Sequence, residues 1–413
     1  MRLVLLFLLL VPLTFAKLKF VQIWFRHGER LPTHYLHFPD EDQTNFDYLD
    51  IAYPGELTSN GIAQEFALGE MLAEIYGDHF GKTYRPNDFH VYTGKDNRTS
   101  ASAQAMFAGF MPPTKDQRWN PSLNWQPIAQ ETDISLDWVS LGAVDNCHVY
   151  GETFSKSTEY AAVMDKMAEL DPGLLKLVRD HAGAPIEEAK TYNHAIDSLK
   201  IRTILQDDLF PLPKWATGYE NRIMNMSFLI HDAIVKSQNE TIGNFHNELV
   251  MSYFETHLQN NATKGVFISG HDTNLVALWD SFRLKDSPND IPNFGAHIAI
   301  EMHETLEKLT IKFFLAMGFN QDRVELVPEL CEKSGCTWEA LQNITKNSRK
   351  PKSDWVFECQ GFERAAEPVS TITGSMIILL SILLLSTIIL GFTTFSYKRQ
   401  LNNLRDPERA CLL

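Results

Sequence analysis

Cysteine is scarce in this chain: five in 413 residues, of which Cys147, Cys331, Cys336 and Cys359 precede the apolar segment near the C-terminus. No histidine stands at finger-like spacing from Cys331 and Cys336, which argues against a structural zinc site. An even number of cysteines in an oxidising compartment reads instead as two disulfides. Excess positive charge is lacking too: the formal net charge is −15, which argues against nucleic acid as a partner and for a soluble acidic surface. There is no internal repeat, and no low-complexity linker before a short polar stretch around Asn343 to Lys352.

Charge disappears altogether from Pro368 to Tyr397, a stretch that contains Ile377-Ile378-Leu379-Leu380 and Ile388-Ile389-Leu390. It is long enough to cross a bilayer, and we expect a membrane helix over 372–397. Lys398 and Arg399 follow at once, which places the tail, 398–413, in the cytosol and the rest outside. At the other end, Arg2, the apolar run Leu3 to Leu10 and the small residue Ala16 make residues 1–16 a cleaved secretory signal, since the run is too short to span. The expected protein is therefore single-pass and type I, with one lumenal or extracellular domain over 17–367, large enough for an α/β unit with an insertion. Sequons at Asn97, Asn225, Asn239, Asn261 and Asn343 fit a glycosylated ectodomain. The tail ends with Glu408 four positions before Leu412-Leu413, a pattern similar to the acidic dileucine signals read by sorting adaptors. It points to endosomes and lysosomes, with the cell surface as the other destination.

The chemistry concentrates in Arg26-His27-Gly28-Glu29-Arg30-Leu31-Pro32, directly after Leu18 to Phe25. That run reads as a buried strand, so His27 belongs at its carboxyl end, where open α/β sheets bind ligands. Arginine forks toward phosphate oxygens, and two of them flanking an imidazole imply an oxyanion next to a nitrogen nucleophile. Taken alone, so short a motif also fits a surface turn with solvated arginines. Two further strands end in similar loops: Phe89 to Tyr92 runs into Asn97-Arg98-Thr99, and Gly265 to Ser269 into Gly270-His271-Asp272. Thr58 is a plausible N-cap for a helix through Leu68, Leu72 and Ile75, and a second helix runs from Ser102 to Phe110. Roughly 135–260 reads mostly as helix, including Ala161 to Leu170 and Phe228 to Ser237, and forms a cap over the sheet. His231-Asp232 lies inside a helical pattern and is set aside as structural. Glu29 is expected to orient an arginine. His34, His37 and His303 read as rim residues, and His297 with Glu301 as structural.

These motifs, in this order and joined by Gly55-Glu56-Leu57-Thr58-Ser59-Asn60-Gly61 and Ser269-Gly270-His271-Asp272-Thr273-Asn274, resemble the histidine acid phosphatases. That family is the acid branch of the phosphoglycerate-mutase-like superfamily, and the likeness is greatest to its lysosomal and prostatic type. The resemblance implies an α/β, three-layer sandwich with a mainly helical cap insertion. It makes His27 the nucleophile that becomes phosphohistidine, Arg26, Arg30, Arg98 and His271 the phosphate-binding set, and Asp272 the proton donor. It pairs Cys147 with Cys359 and Cys331 with Cys336; the family's third bridge is absent, since Ala296 stands beside His297. A homodimer is common in the family. No metal or other cofactor is expected, because the arginines supply the positive charge that a metal would bring to a phosphoryl group. The substrate it implies is a phosphomonoester, with phytase or lysophospholipid phosphatase activity, or a catalytically silent recognition glycoprotein, as the competing readings. Asn97 abuts Arg98, so a glycan there would obstruct the pocket; the glycosylated set is Asn225, Asn239, Asn261 and Asn343.

Overall fold

In the computed structural model the described residues are 16–36, 38–39, 41, 54–139, 147, 165–183, 186, 189–205, 210–237, 239–260, 263–288, 290–305, 308–331 and 336–405, with the side chains of 189–190, 231–243, 358, 360–382 and 403–405 left aside. His37, Asn261, the tail residues Glu408, Leu412 and Leu413, and signal residues 1–15 lie outside this set. The chain forms two compact units, Met1–Trp355 and Val356–Leu413.

The first unit is built on β1, Lys17–Arg26. Its alternating side chains go to two apolar faces. Val21, Ile23 and Phe25 share one core with the helices α1 (Ser59–Phe80) and α2 (Asn97–Phe110). Phe20, Gln22 and Trp24 meet a later helix on the other face. Four strands lie parallel in the order β3 (Glu131–Thr132), β2 (Phe89–Thr93), β4 (Gly265–Gly270), β1. Antiparallel strands β5 (His297–Glu304), β6 (Leu309–Ala316) and β7 (Val324–Leu326) extend the sheet beyond β1, and β8 (Cys336–Thr337) pairs with β6. The register aligns Arg26 with Gly270 and Thr93 with Ser269, so the carboxyl ends of β1, β4 and β2 are level.

Between β3 and β4 lie α3 (Pro172–His181), α4 (Ala189–Leu205), α5 (Glu220–Ser237) and α6 (Asn239–Asn260). The first three share a core of their own that includes Leu174, Ile196, Leu199, Ile223 and Ile230, with Phe38 inserted from the loop after β1. That is a helical cap. The helix α6, although inside the range 135–260, belongs to the sheet layer. The ring of Phe20 meets Phe254 at 5.7 Å and His257 at 4.6 Å, and Gln22 donates to the Val250 carbonyl at 2.8 Å. The outcome is a mixed α/β fold with helices on both faces of a central sheet. The helix α7 (Asp272–Ser281) follows β4, and α8 (Trp338–Thr345) precedes the last helix, α9 (Lys352–Arg405).

The expected span, 372–397, falls inside α9, where Leu383, Leu384, Leu385, Ile388, Ile389, Leu390, Phe392 and Phe395 are all exposed. Among the described residues no helix is long and apolar enough to cross a membrane. Cys331 and Cys336 form a disulfide, and Cys147 and Cys359 are each disulfide-bonded. Asn225 and Asn343 are exposed.

Thr58 caps α1, accepting from Gly61 N at 3.0 Å, and the two glycines Gly28 and Gly61 let this helix end touch the loop after β1. A Cβ on Gly61 would stand 2.1 Å from the Glu29 carbonyl oxygen, whereas one on Gly77 meets nothing within 4 Å. Gly61→Ala should therefore destabilise by about 1–3 kcal/mol through overpacking. Gly77→Ala, on the same helix, should stabilise by roughly 0.5–1 kcal/mol; chemical denaturation of both variants checks the opposite signs.

Candidate active site

Each of the four parallel strands delivers a piece of one site, at the end where such sheets bind ligands. From β1 come Arg26, His27 and Arg30; from β4, His271 and Asp272; from β2, Asp96 and Arg98. The strand β3 leads into a short 3₁₀ turn, Ile134–Val139, that carries Asp137. The cap helix α4 adds Asp197 and Lys200. The His27 amide donates to the Gly270 carbonyl at 3.0 Å, and Gly94 N to Ser269 O at 3.1 Å, which ties the three loops together.

His27 is 2 % exposed. Its Nδ1 lies 2.8 Å from the Gly28 carbonyl oxygen. An oxygen of that kind only accepts, so Nδ1 carries the hydrogen and Nε2 keeps its lone pair. Burial, and then the charges of Arg98, Arg26, His271 and Arg30, push the His27 pKa well below 6.5. Both causes favour the neutral imidazole over the imidazolium. His271 stands edge-on to it, with ring centroids 5.4 Å apart.

The cations around it are each held by a carboxylate. Arg26 meets Asp272 Oδ2 at 2.9 Å and donates to the Pro292 carbonyl at 2.6 Å. Arg30 forks onto Asp197 with bonds of 3.2 and 3.0 Å, and Lys200 approaches the same carboxylate at 3.3 Å. Burial alone would raise Asp197, but Arg30 and Lys200 outweigh it and hold the carboxyl far below its ordinary range. Arg98 pairs with Asp96; burial and the neighbouring Arg30 lower the Arg98 pKa to about 10, so it remains a cation. Gly55, at φ +76°, passes so close that a Cβ there would lie 3.2 Å from Arg98 Nη1, a position that only glycine fills without strain. The Nε groups of Arg26, Arg30 and Arg98 are buried, and none has a hydrogen-bond partner among the described residues. Buried donors left open in this way mark where the oxygens of an anion belong.

His271 Nε2 meets Asp137 Oδ1 at 3.1 Å, and Asp137 Oδ2 accepts from Lys95 N at 2.7 Å. Asp96, Asp137 and His271 offer ligand atoms within 4.8 Å of one another, yet a cation there would compete with Arg98 for Asp96 and with His271 for Asp137. Asp272 opens α7 and accepts from Thr273 N at 2.9 Å.

All six residues singled out from the sequence, Arg26, His27, Arg30, Arg98, His271 and Asp272, thus come together. Asp96, Asp137, Asp197 and Lys200 were not foreseen. Glu29 does not hold an arginine: its carboxylate accepts from Thr58 Oγ1 at 2.7 Å, because the loop turns it toward the α1 cap. Asn97 is exposed and donates to Glu56 at 3.1 Å. His34 stacks on His194, with centroids 3.7 Å apart. Glu301 accepts from Tyr76 and pairs with His303 and Arg323, a structural cluster. His297 is fully buried, and burial followed by Arg323 lowers its pKa to about 4.

The model of the histidine phosphatase superfamily (branch 2) matches residues 17–320. The chain belongs to this family. It is 24% identical over 343 residues to venom acid phosphatase of Apis mellifera, covering 80% of this chain and 85% of that protein. It is 26% identical over 401 residues to lysosomal acid phosphatase of Rattus norvegicus, covering 91% and 89%. Among solved structures, the phytase from Citrobacter braakii superposes with a TM-score of 0.58 at 15% identity, over 84% of this chain and 99% of that one, which shows the shared fold.

Removing the Asp197 charge leaves Arg30 and Lys200 buried without their anion. Asp197→Asn should cost about 3–5 kcal/mol, as for other half-deleted buried pairs, read as a drop in the denaturation midpoint.

Proposed function

We propose that this chain is an acid phosphatase that hydrolyses phosphomonoesters through a phosphohistidine at His27. The observation that carries the reading is a neutral imidazole, with Nδ1 tied to Gly28 O and Nε2 open, set among three buried guanidiniums with unbonded Nε–H groups. Phosphoryl transfer asks for little more than a placed nucleophile and positive charge where the equatorial oxygens gather it. Arg26, Arg30, Arg98 and His271 bind those oxygens, and Nε2 attacks phosphorus as the P–O bond to the alcohol breaks. Asp272 gives its proton to the leaving alkoxide. Asp272, now a carboxylate, takes a proton from water as that water attacks the phosphohistidine, which frees phosphate and restores His27. The acid phosphatases among the relatives support the same reading. Asp137 and Asp197 act as positioning residues, holding His271 and Arg30.

The pH dependence follows from the two roles. His27 is active as the base, and its lowered pKa keeps that form at acid pH; Asp272 is active as the acid, so the rate declines as pH rises. With an aryl phosphate and detergent-solubilised full-length protein, kcat/KM should hold from pH 6.5 down to 5 and fall toward alkaline pH, with chelator present throughout. His27→Ala should lose more than about a thousandfold, and Asp272→Asn should lose kcat most for poor leaving groups. A rate that falls on acidification through pH 6.5 would contradict the His27 assignment.

We also propose that residues 372–397 anchor the protein in a membrane, with residues 1–16 removed, and that the Glu408, Leu412, Leu413 pattern directs it to lysosomes. Support comes from the exposed leucines and isoleucines along α9, which water disfavours and lipid accepts, and from lysosomal relatives. The full chain should stay in the membrane pellet under alkaline carbonate; deletion of 368–413 should release it to the medium.

A further inference from the structure

Lys200 has no part in the steps above, although it reaches into the same region from α4. It is 2 % exposed, and its contact with Asp197 Oδ1 at 3.3 Å engages one of the three N–H groups of an ammonium. Asp197 is already held by the fork of Arg30, so satisfying that carboxylate does not require a second buried cation. Burying a lysine is costly.

Lys200 lines a cavity of about 230 Å³ shared with Arg26, the guanidinium that holds Asp272. The amide residues Gln64, Asn293, Asn320 and Gln321 line it too, together with Phe294 and Met224. Glu29 is the one carboxylate on the lining, and it accepts from Thr58. The cavity adjoins the chemistry through Phe294, whose ring lies 5.9 Å from the His27 imidazole and 4.2 Å from the Arg26 guanidinium. It therefore flanks Asp272, the group that protonates the departing alcohol. Carboxamides both donate and accept, as hydroxyl groups require, and an ammonium offers charge-assisted donors to an anion.

We propose that this cavity receives the alcohol portion of the substrate, and that Lys200 selects alcohols bearing a second anionic group, a carboxylate or another phosphate. Gln64, Asn293 and Gln321 bond the hydroxyl groups of such a ligand. The proposal rests on the phosphomonoester hydrolysis argued above.

The test compares kcat/KM of the full-length protein for matched pairs: 6-phosphogluconate against glucose 6-phosphate, and fructose 1,6-bisphosphate against fructose 6-phosphate. One charge-assisted bond predicts a preference of roughly tenfold or more for the second anion in at least one pair. Which pair shows it tells a carboxylate reader from a phosphate reader. Lys200→Met should bring that ratio near one, and Lys200→Arg should keep most of it. Ratios near one in the unmodified protein overturn the proposal, as does a preference that persists in Lys200→Met; the unmodified ratios decide even where the methionine variant fails to fold. A generic aryl phosphate run in parallel separates the failures. If it is not hydrolysed, the catalytic reading falls; if it is hydrolysed but neither pair is discriminated, only the role of Lys200 falls.

Discussion

Positive charge crowds the carboxyl ends of four parallel strands, and the structure tolerates it because each guanidinium and ammonium of the site meets a side-chain carboxyl group. Arg26 rests on Asp272, Arg30 and Lys200 on Asp197, and Arg98 on Asp96, while Asp137 meets His271 Nε2. These carboxyl groups come from the start of α7, the cap helix α4, the loop after β2 and the turn after β3. No two of them share an element, so the charge balance closes only when sheet and cap are both folded. A buried cation without its partner is unfavourable by several kcal/mol, and this makes the site a constraint on the fold as much as a product of it.

That balance sets the chemistry of His27. Burial, and then the neighbouring positive charge, depress the imidazole pKa, while the Gly28 carbonyl fixes the tautomer that leaves Nε2 open. The donors that face an incoming anion are placed before it arrives, so little reorganisation is needed during reaction. The close contact of Gly28 with Gly61 and the Thr58 cap hold the loop that carries both His27 and Arg30.

The motif of the candidate site was legible because its signal is local. An apolar run followed by Arg26-His27-Gly28 fixes a strand end, and Asn97-Arg98-Thr99 and Gly270-His271-Asp272 repeat the arrangement. The anchors were not legible for the opposite reason. Asp137 lies 134 positions from His271 and Asp197 lies 167 from Arg30, and neither stands in a pattern that marks it. Asp96 was within reach, two positions before Arg98 in a loop already identified. The short strands β3, β7 and β8 carry too few residues for a period. The helix α6 reads like its cap neighbours, because helical periodicity reports an apolar face without naming what covers it; Phe20 and Trp24 of β1 supply that cover.

The central claim is that phosphate passes through Nε2 of His27. Acid conditions hydrolyse phosphohistidine, so the direct measurement is a rapid alkaline quench during turnover of a ³²P-labelled phosphomonoester, followed by peptide mapping. The account predicts base-stable, acid-labile label on His27 linked through Nε2. Turnover with no label on His27, or label on Nδ1, would contradict it.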